Sequence, residues 1–152
     1  GGRIDAMLAV LEPAAAAAPR GGSLTMPLRW LVDAVALLAD GREPVDVAPL
    51  QRWLVALGQP LFGRTTPDGY PLAGTDWLSS GQLVQRFQVA RELVTLQSRI
   101  YGERSPAALL ESAAVRAARE QLGPASRAAV AGASQPAEAL ALILASPERM
   151  MR

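Results

Sequence analysis

At 152 residues, half of them hydrophobic and 19% charged, the chain is long enough to bury one domain core and too apolar to remain disordered. It contains neither Cys nor His, which excludes thiol chemistry, thiolate- or imidazole-bound zinc and a Ser-His-Asp triad within these residues. Fifteen arginines face fourteen acids for a net charge of +1, and without a run of like charge the basic face that a nucleic-acid partner demands is not indicated.

Carboxylates, hydroxyls, Tyr and Arg are left for acid–base work. No spacing such as D-x-D-x-D-G gathers the oxygens a hard cation needs, so no metal and no cofactor is expected. No apolar run approaches the ~20 residues that span a bilayer. The opening GGRIDAMLAVLEPAAAAAPR does not read as a signal peptide, because Asp5 interrupts a short apolar core and no Met leads it. Beginning on Gly1-Gly2 suggests a portion of something longer, with any export signal outside it.

Ile4, Met7, Leu8 and Leu11 recur at helical spacing and end at Pro13. Ala14 to Ala18, closed by Pro19 and Gly21-Gly22, is either a helical turn or a linker. Residues 1–24 therefore form a short helix plus connector, and 25–152 a helical domain. Thr25 or Ser23 caps the next helix, with Pro27 in its first turn and an almost wholly apolar course through Trp30 to Leu38. Asp40-Gly41 closes it. Asp46 caps a helix from Val47 to Leu57 whose stripe is Leu50, Trp53, Leu54 and Leu57, and Gly58 stops it.

Ser80 or Ser79 opens a long helix to about Leu96, with Leu83, Val84, Phe87, Ala90, Leu93 and Val94 inward and Gln85, Arg91 and Glu92 in water. Ser105-Pro106 opens another through Leu109, Ala113 and Leu122, ending at Gly123-Pro124. A weak helix runs from Ser126 to Ala133. The last begins at Ser134-x-Pro136-x-Glu138, carries Leu140, Ile143 and Leu144, and stops at Ser146-Pro147. No stretch alternates with period two between turn signals. The expectation is an all-α, compact bundle of six or seven helices with one long ordered loop over about 57–80.

That loop lies in LGQPLFGRTTPDGYPLAGTDWLSSGQLVQR, Leu57 to Arg86. The phrase resembles the C-terminal part of a large bacterial family, domain of unknown function 1800, whose members carry segments of the type "LGQ-P-F … P-DGYP … W-s … R" after a helix of the type "P-ewLv-a-ral". Met26 to Leu38, MPLRWLVDAVALL, is similar to that helix. The closing ALALILASPERMMR looks like the family's "eALaLlLaSPEFq-R", with Arg149 where an aromatic usually follows SPE. The resemblance covers roughly Met26 to Arg152. It implies a helical C-terminal portion of a larger, mostly exported bacterial protein without assigned activity, hence a periplasmic or secreted location, and it brings no catalytic residues.

Two readings of the loop stand side by side. In the first, Pro67-Asp68-Gly69 is turn chemistry and Phe62, Tyr70 and Trp77 are anchors buried against the Trp30 and Trp53 helices. Arg86 then makes a structural salt bridge to Asp76 or Asp68, and the module works by packing against the rest of its parent chain or another protein. In the second, an enzyme or carbohydrate-binding unit uses Asp68, Tyr70, Asp76 and Trp77 as acids and platform, with Arg86 and Arg64 clamping an anion. Outside the loop, Glu111, Arg116, Arg119 and Glu120 read as a solvated helix face with i,i+4 pairs. An exposed apolar patch between Ala107 and Leu122 would instead mark a subunit interface.

Overall fold

The computed structural model describes residues 23–102 and 104–151, Ser98 by its backbone alone. The expected Ile4–Leu11 helix and its Ala/Pro connector lie outside the described residues. Among those described, eight α-helices follow in order: α1 Pro27–Ala39, α2 Ala48–Ala56, α3 Ser80–Tyr101, α4 Pro106–Leu110, α5 Ala113–Glu120, α6 Pro124–Ala131, α7 Pro136–Leu144 and α8 Pro147–Met150. A 3₁₀ turn, Gly74–Trp77, interrupts the excursion between α2 and α3. No strand forms among the described residues, and the all-α class holds. One isolated antiparallel bridge joins Leu24 to Met151, and the Thr25 N–H donates to the Met150 carbonyl at 2.8 Å.

The bundle is organised around α7. Its sequence PAEALALIL is apolar nearly all round, so no single face can satisfy it. It packs against α3, α4, α6 and α8 and buries Ala139, Leu140, Ala141, Ile143 and Leu144. Helix α1 joins this core through Trp30, Leu31 and Leu38, and the Trp30 indole N–H donates to the Leu144 carbonyl at 3.1 Å. Helix α2 lies on α1 through Trp53 and Leu54.

Several local expectations are corrected. Neither Thr25 nor Ser23 caps α1: Met26 holds the cap position without a side-chain bond, because the Thr25 backbone is engaged with Met150 and Arg86. The Asp46 carboxylate accepts from the Ala48 N–H at 2.9 Å, one residue ahead of the assigned cap Val47. Asp40 does close α1 in the left-handed region at φ 49°. The helix expected over 106–122 divides in two, since the Ser112 hydroxyl accepts from the Val115 N–H and starts α5 afresh. Ahead of Ser146-Pro147 α7 stops as expected, and the same pair then opens α8. These breaks raise the number of helices beyond six or seven.

The largest correction concerns α3. Ser79 caps it through the Gln82 N–H, and it runs to Tyr101, not Leu96. Its buried stripe is Arg86, Val89, Ala90, Leu93, Val94, Gln97, Ile100 and Tyr101. Leu83, Val84 and Phe87 stand in solvent instead. The apolar pattern misleads because the buried register passes through an arginine.

Candidate functional site

The excursion begins where Gly58, at φ 76°, turns the chain off α2. Gln59 then reverses the usual fate of a loop amide and is buried. Its side-chain carbonyl accepts from the Leu28 N–H at 2.8 Å, one of the donors that a helix start leaves without an intrahelical partner. Gln82, from the first turn of α3, donates to the Leu57 carbonyl at 3.0 Å. Two glutamine side chains thus fasten the start of the excursion, Gln59 to α1 and Gln82 of α3 to Leu57.

Tyr70 and Trp77 fix the middle. The Tyr70 hydroxyl donates to the Pro60 carbonyl at 2.7 Å, and the Trp77 indole N–H to the Pro71 carbonyl at 3.0 Å. Their rings lie 6.3 Å apart at 43°. Trp77 is only 6% exposed and belongs to the same core as Trp30 and Trp53, whereas Tyr70 is partly buried against it. Gly74 seats the 3₁₀ turn directly on the Leu24 backbone. A β-carbon there would stand 2.4 Å from the Leu24 carbonyl oxygen and 2.6 Å from its nitrogen. Only a residue without a side chain permits that approach.

Phe62 breaks the expected pattern. It is fully exposed, at 102%, in the left-handed region at φ 57°. Gly63 folds back so tightly over Pro60 that the phenylalanine side chain is thrown outward. Leu61, Leu72 and Leu78 are exposed with it.

The candidate polar residues are placed as follows. Asp68 is exposed in the Thr66–Gly69 turn, where a hydrogen bond from the Thr66 hydroxyl, its own backbone N–H and the nearby Arg64 hold the carboxyl below its ordinary value. Arg64 donates to Thr66 and lies 5.9 Å over the Tyr70 ring. Asp76 is exposed in the 3₁₀ turn. Asp68, Tyr70, Asp76 and Trp77 are therefore close along the chain, but both indole and phenol polar groups are spent on backbone carbonyls.

Arg86 departs from both readings. It is completely buried, donates to the Thr25 carbonyl, and lies 5.5 Å over the Trp30 ring. Among the described residues it forms no salt bridge to Asp68 or Asp76, correcting the expected pairing. Its Nε and the other terminal nitrogen lack partners, and burial pulls its pKa down to about 10. This cation is a strut between α3, α1 and the Thr25 backbone. A ligand clamp would need it at a surface.

Clefts of ≈490, 510 and 470 Å³ on the described surface lie away from the 57–80 excursion and from Arg86, neither of which contributes to their linings. Among the described residues no three acids gather as metal ligands. No helix among them is long and apolar enough to cross a membrane. Sequence reasoning missed Gln59 and Gly74, whose roles depend on helix α1 and Leu24 being alongside; LGQP and LAGT carry no local sign of it.

Comparison with known proteins gives one finding. A family model described as "Protein of unknown function (DUF1800)" matches residues 1–151, extending to the N-terminal side of the Met26–Arg152 resemblance. No curated protein and no solved structure matches the chain.

Proposed function

Since the chain belongs to the DUF1800 family, we propose that it is the helical C-terminal module of a larger, exported bacterial protein and works by packing against the remainder of that protein. One observation carries this reading. Four large apolar side chains of the excursion, Leu61, Phe62, Leu72 and Leu78, and three at the start of α3, Leu83, Val84 and Phe87, face solvent, while the excursion is fastened at Leu57, Gln59, Gly74 and Trp77. Scattered exposed leucines are ordinary. A concentration of them on a fastened excursion marks a surface that another chain segment covers.

The C-terminal position rests on the closing phrase from Ala139 to Arg152 and its likeness to the family's ending. Export rests on the family resemblance alone. A subunit interface on the Ala107–Leu122 stretch has less support, since no large hydrophobic residue there is exposed. An enzyme or sugar-binding pocket at Asp68–Trp77 also has less support: Trp77 offers no open face, and Tyr70 has committed its hydroxyl.

Hydroxyl-radical footprinting tests the packing role. Phe62, Leu72 and Leu78 should oxidise readily in the isolated 152-residue chain and be protected in the intact cellular protein. Equal oxidation in both overturns the proposal, and protection that appears only when a separate protein is added moves the contact to that partner. Cell fractionation tests export, with the periplasm or medium the expected location and the cytoplasm the contrary one.

A further inference from the structure

Arg116 and Arg119 are three residues apart on α5 and so project from neighbouring positions on one helix face. Arg127, at the end of the first turn of α6, rises across the Gln121–Gly123 corner. All three line one open cleft of ≈490 Å³, whose lining also holds Glu120 and the buried side chains of Leu122 and Val130. Three positive charges thus share an opening with a single acid, on a chain whose net charge is only +1.

Ion pairing does not account for these charges. Arg116 and Glu120 have the i,i+4 spacing, but in the less favourable order, and no ion pair forms between them. Among the described residues none of the three guanidiniums has an ion-pair or hydrogen-bond partner. Arg119 benefits from the C-terminal end of α5. Arg127 gains nothing comparable, because it sits towards the positive end of α6. Glu148, the acid closest along that end, gives its carboxylate to the Gly123 N–H and the Ser126 hydroxyl. Three unpaired guanidiniums around one opening give it a positive potential that draws an anion.

We propose that this cleft binds an organic phosphate monoester, its dianionic head held by Arg116, Arg119 and Arg127 and a short apolar group lying on the exposed Ala131 beside the narrow accessible edges of Leu122 and Val130. Guanidinium forks match phosphate oxygens in bidentate fashion, and three forks suit a tetrahedral head better than a flat carboxylate. The volume falls in the range of small-molecule sites, about 300–1,000 Å³. Hydrophobic lining beside the cations favours an ester over the free ion.

Calorimetric titration of the whole 152-residue chain at low salt tests this with butyl phosphate, inorganic phosphate and butyrate as probes. Butyl phosphate should bind at one site, about tenfold tighter than either of the others. R116Q and R127Q should each weaken it about tenfold, and added salt should weaken it further. All three arginines are exposed, so far-ultraviolet dichroism and melting of these variants should match the parent. Absence of saturable binding, or unchanged binding in R116Q/R119Q/R127Q, overturns the site. Equal affinity for inorganic phosphate overturns the ester assignment.

Discussion

Helix α7 and the 57–80 excursion are both rich in apolar residues, and they dispose of them in opposite ways. Around α7 the apolar groups recur with helical period, and four neighbouring helices close over them. Stability there is spread over many contacts, each worth little alone. The excursion has no period. It buries the Trp77 ring and part of Tyr70, hangs the remainder on bonds from Gln59, Gln82 and Tyr70 to backbone groups, and leaves Phe62 and Leu72 in water. A regular element hides its apolar content as a face. An irregular one can hide only what its anchors reach, so its surplus becomes surface.

This contrast can be broken at the anchors. Trp77→Ala should have the largest effect, about 3–5 kcal/mol by urea denaturation, and amide exchange should speed first over 59–78, ahead of α7. Simultaneous loss of protection in both regions would show that the excursion is no separate unit. Gly74→Ala comes next, at about 1–3 kcal/mol, because the added carbon meets not only the movable Ser23 hydroxyl but also the backbone of Leu24, which cannot swing aside. Gln59→Ala should cost about 1–2 kcal/mol, the penalty of leaving the partly buried Leu28 N–H unpaired; calorimetric melting measures it.

The smallest effect sharpens the other side of the comparison, where the closing segment is pinned to α6. Glu148 is pushed up by burial, but hydrogen bonds from its own backbone, the Gly123 N–H and the Ser126 hydroxyl outweigh this and lower its pKa. Its contribution is therefore complete above the ordinary glutamate value of 4.5 and is lost as pH falls through the lower folded value. Glu148→Gln should cost about 0.5–1 kcal/mol at pH 7, and the difference in melting between the two chains should shrink as the pH is taken below the ordinary glutamate value.

Much of this was legible from residue order. Period-3.6 apolar stripes gave α1, α2 and α7, and Pro27, Asp40 and Gly58 marked their ends within a residue or two. The misreadings share a cause. Arg86 occupies a core position on α3 because Trp30 and the Thr25 carbonyl, far away in sequence, receive its guanidinium; a one-dimensional pattern assigns that position to water and rotates the helix. Phe62 was expected inside because aromatics usually are, yet its fate follows from the Pro60–Gly63 turn. Ser112 caps a helix where an interior residue was expected, and Ser146 opens one as well as following a stop; serine marks either. At the loop, residue types pointed correctly to Trp77 as an anchor, while Gln59 and Gly74 became meaningful only beside α1 and Leu24.

The excursion's central property, anchors below and unspent apolar surface above, is tested most directly by changing the upper side alone. Replace Phe62 and Leu72 together by Ser and measure urea unfolding of the 152-residue chain. Stability within about 0.5 kcal/mol of the parent, with weaker binding of a hydrophobic dye, is the outcome expected for exposed positions. A loss as large as that of Trp77→Ala would mean those side chains are held inside the fold, and the surface assigned here does not exist.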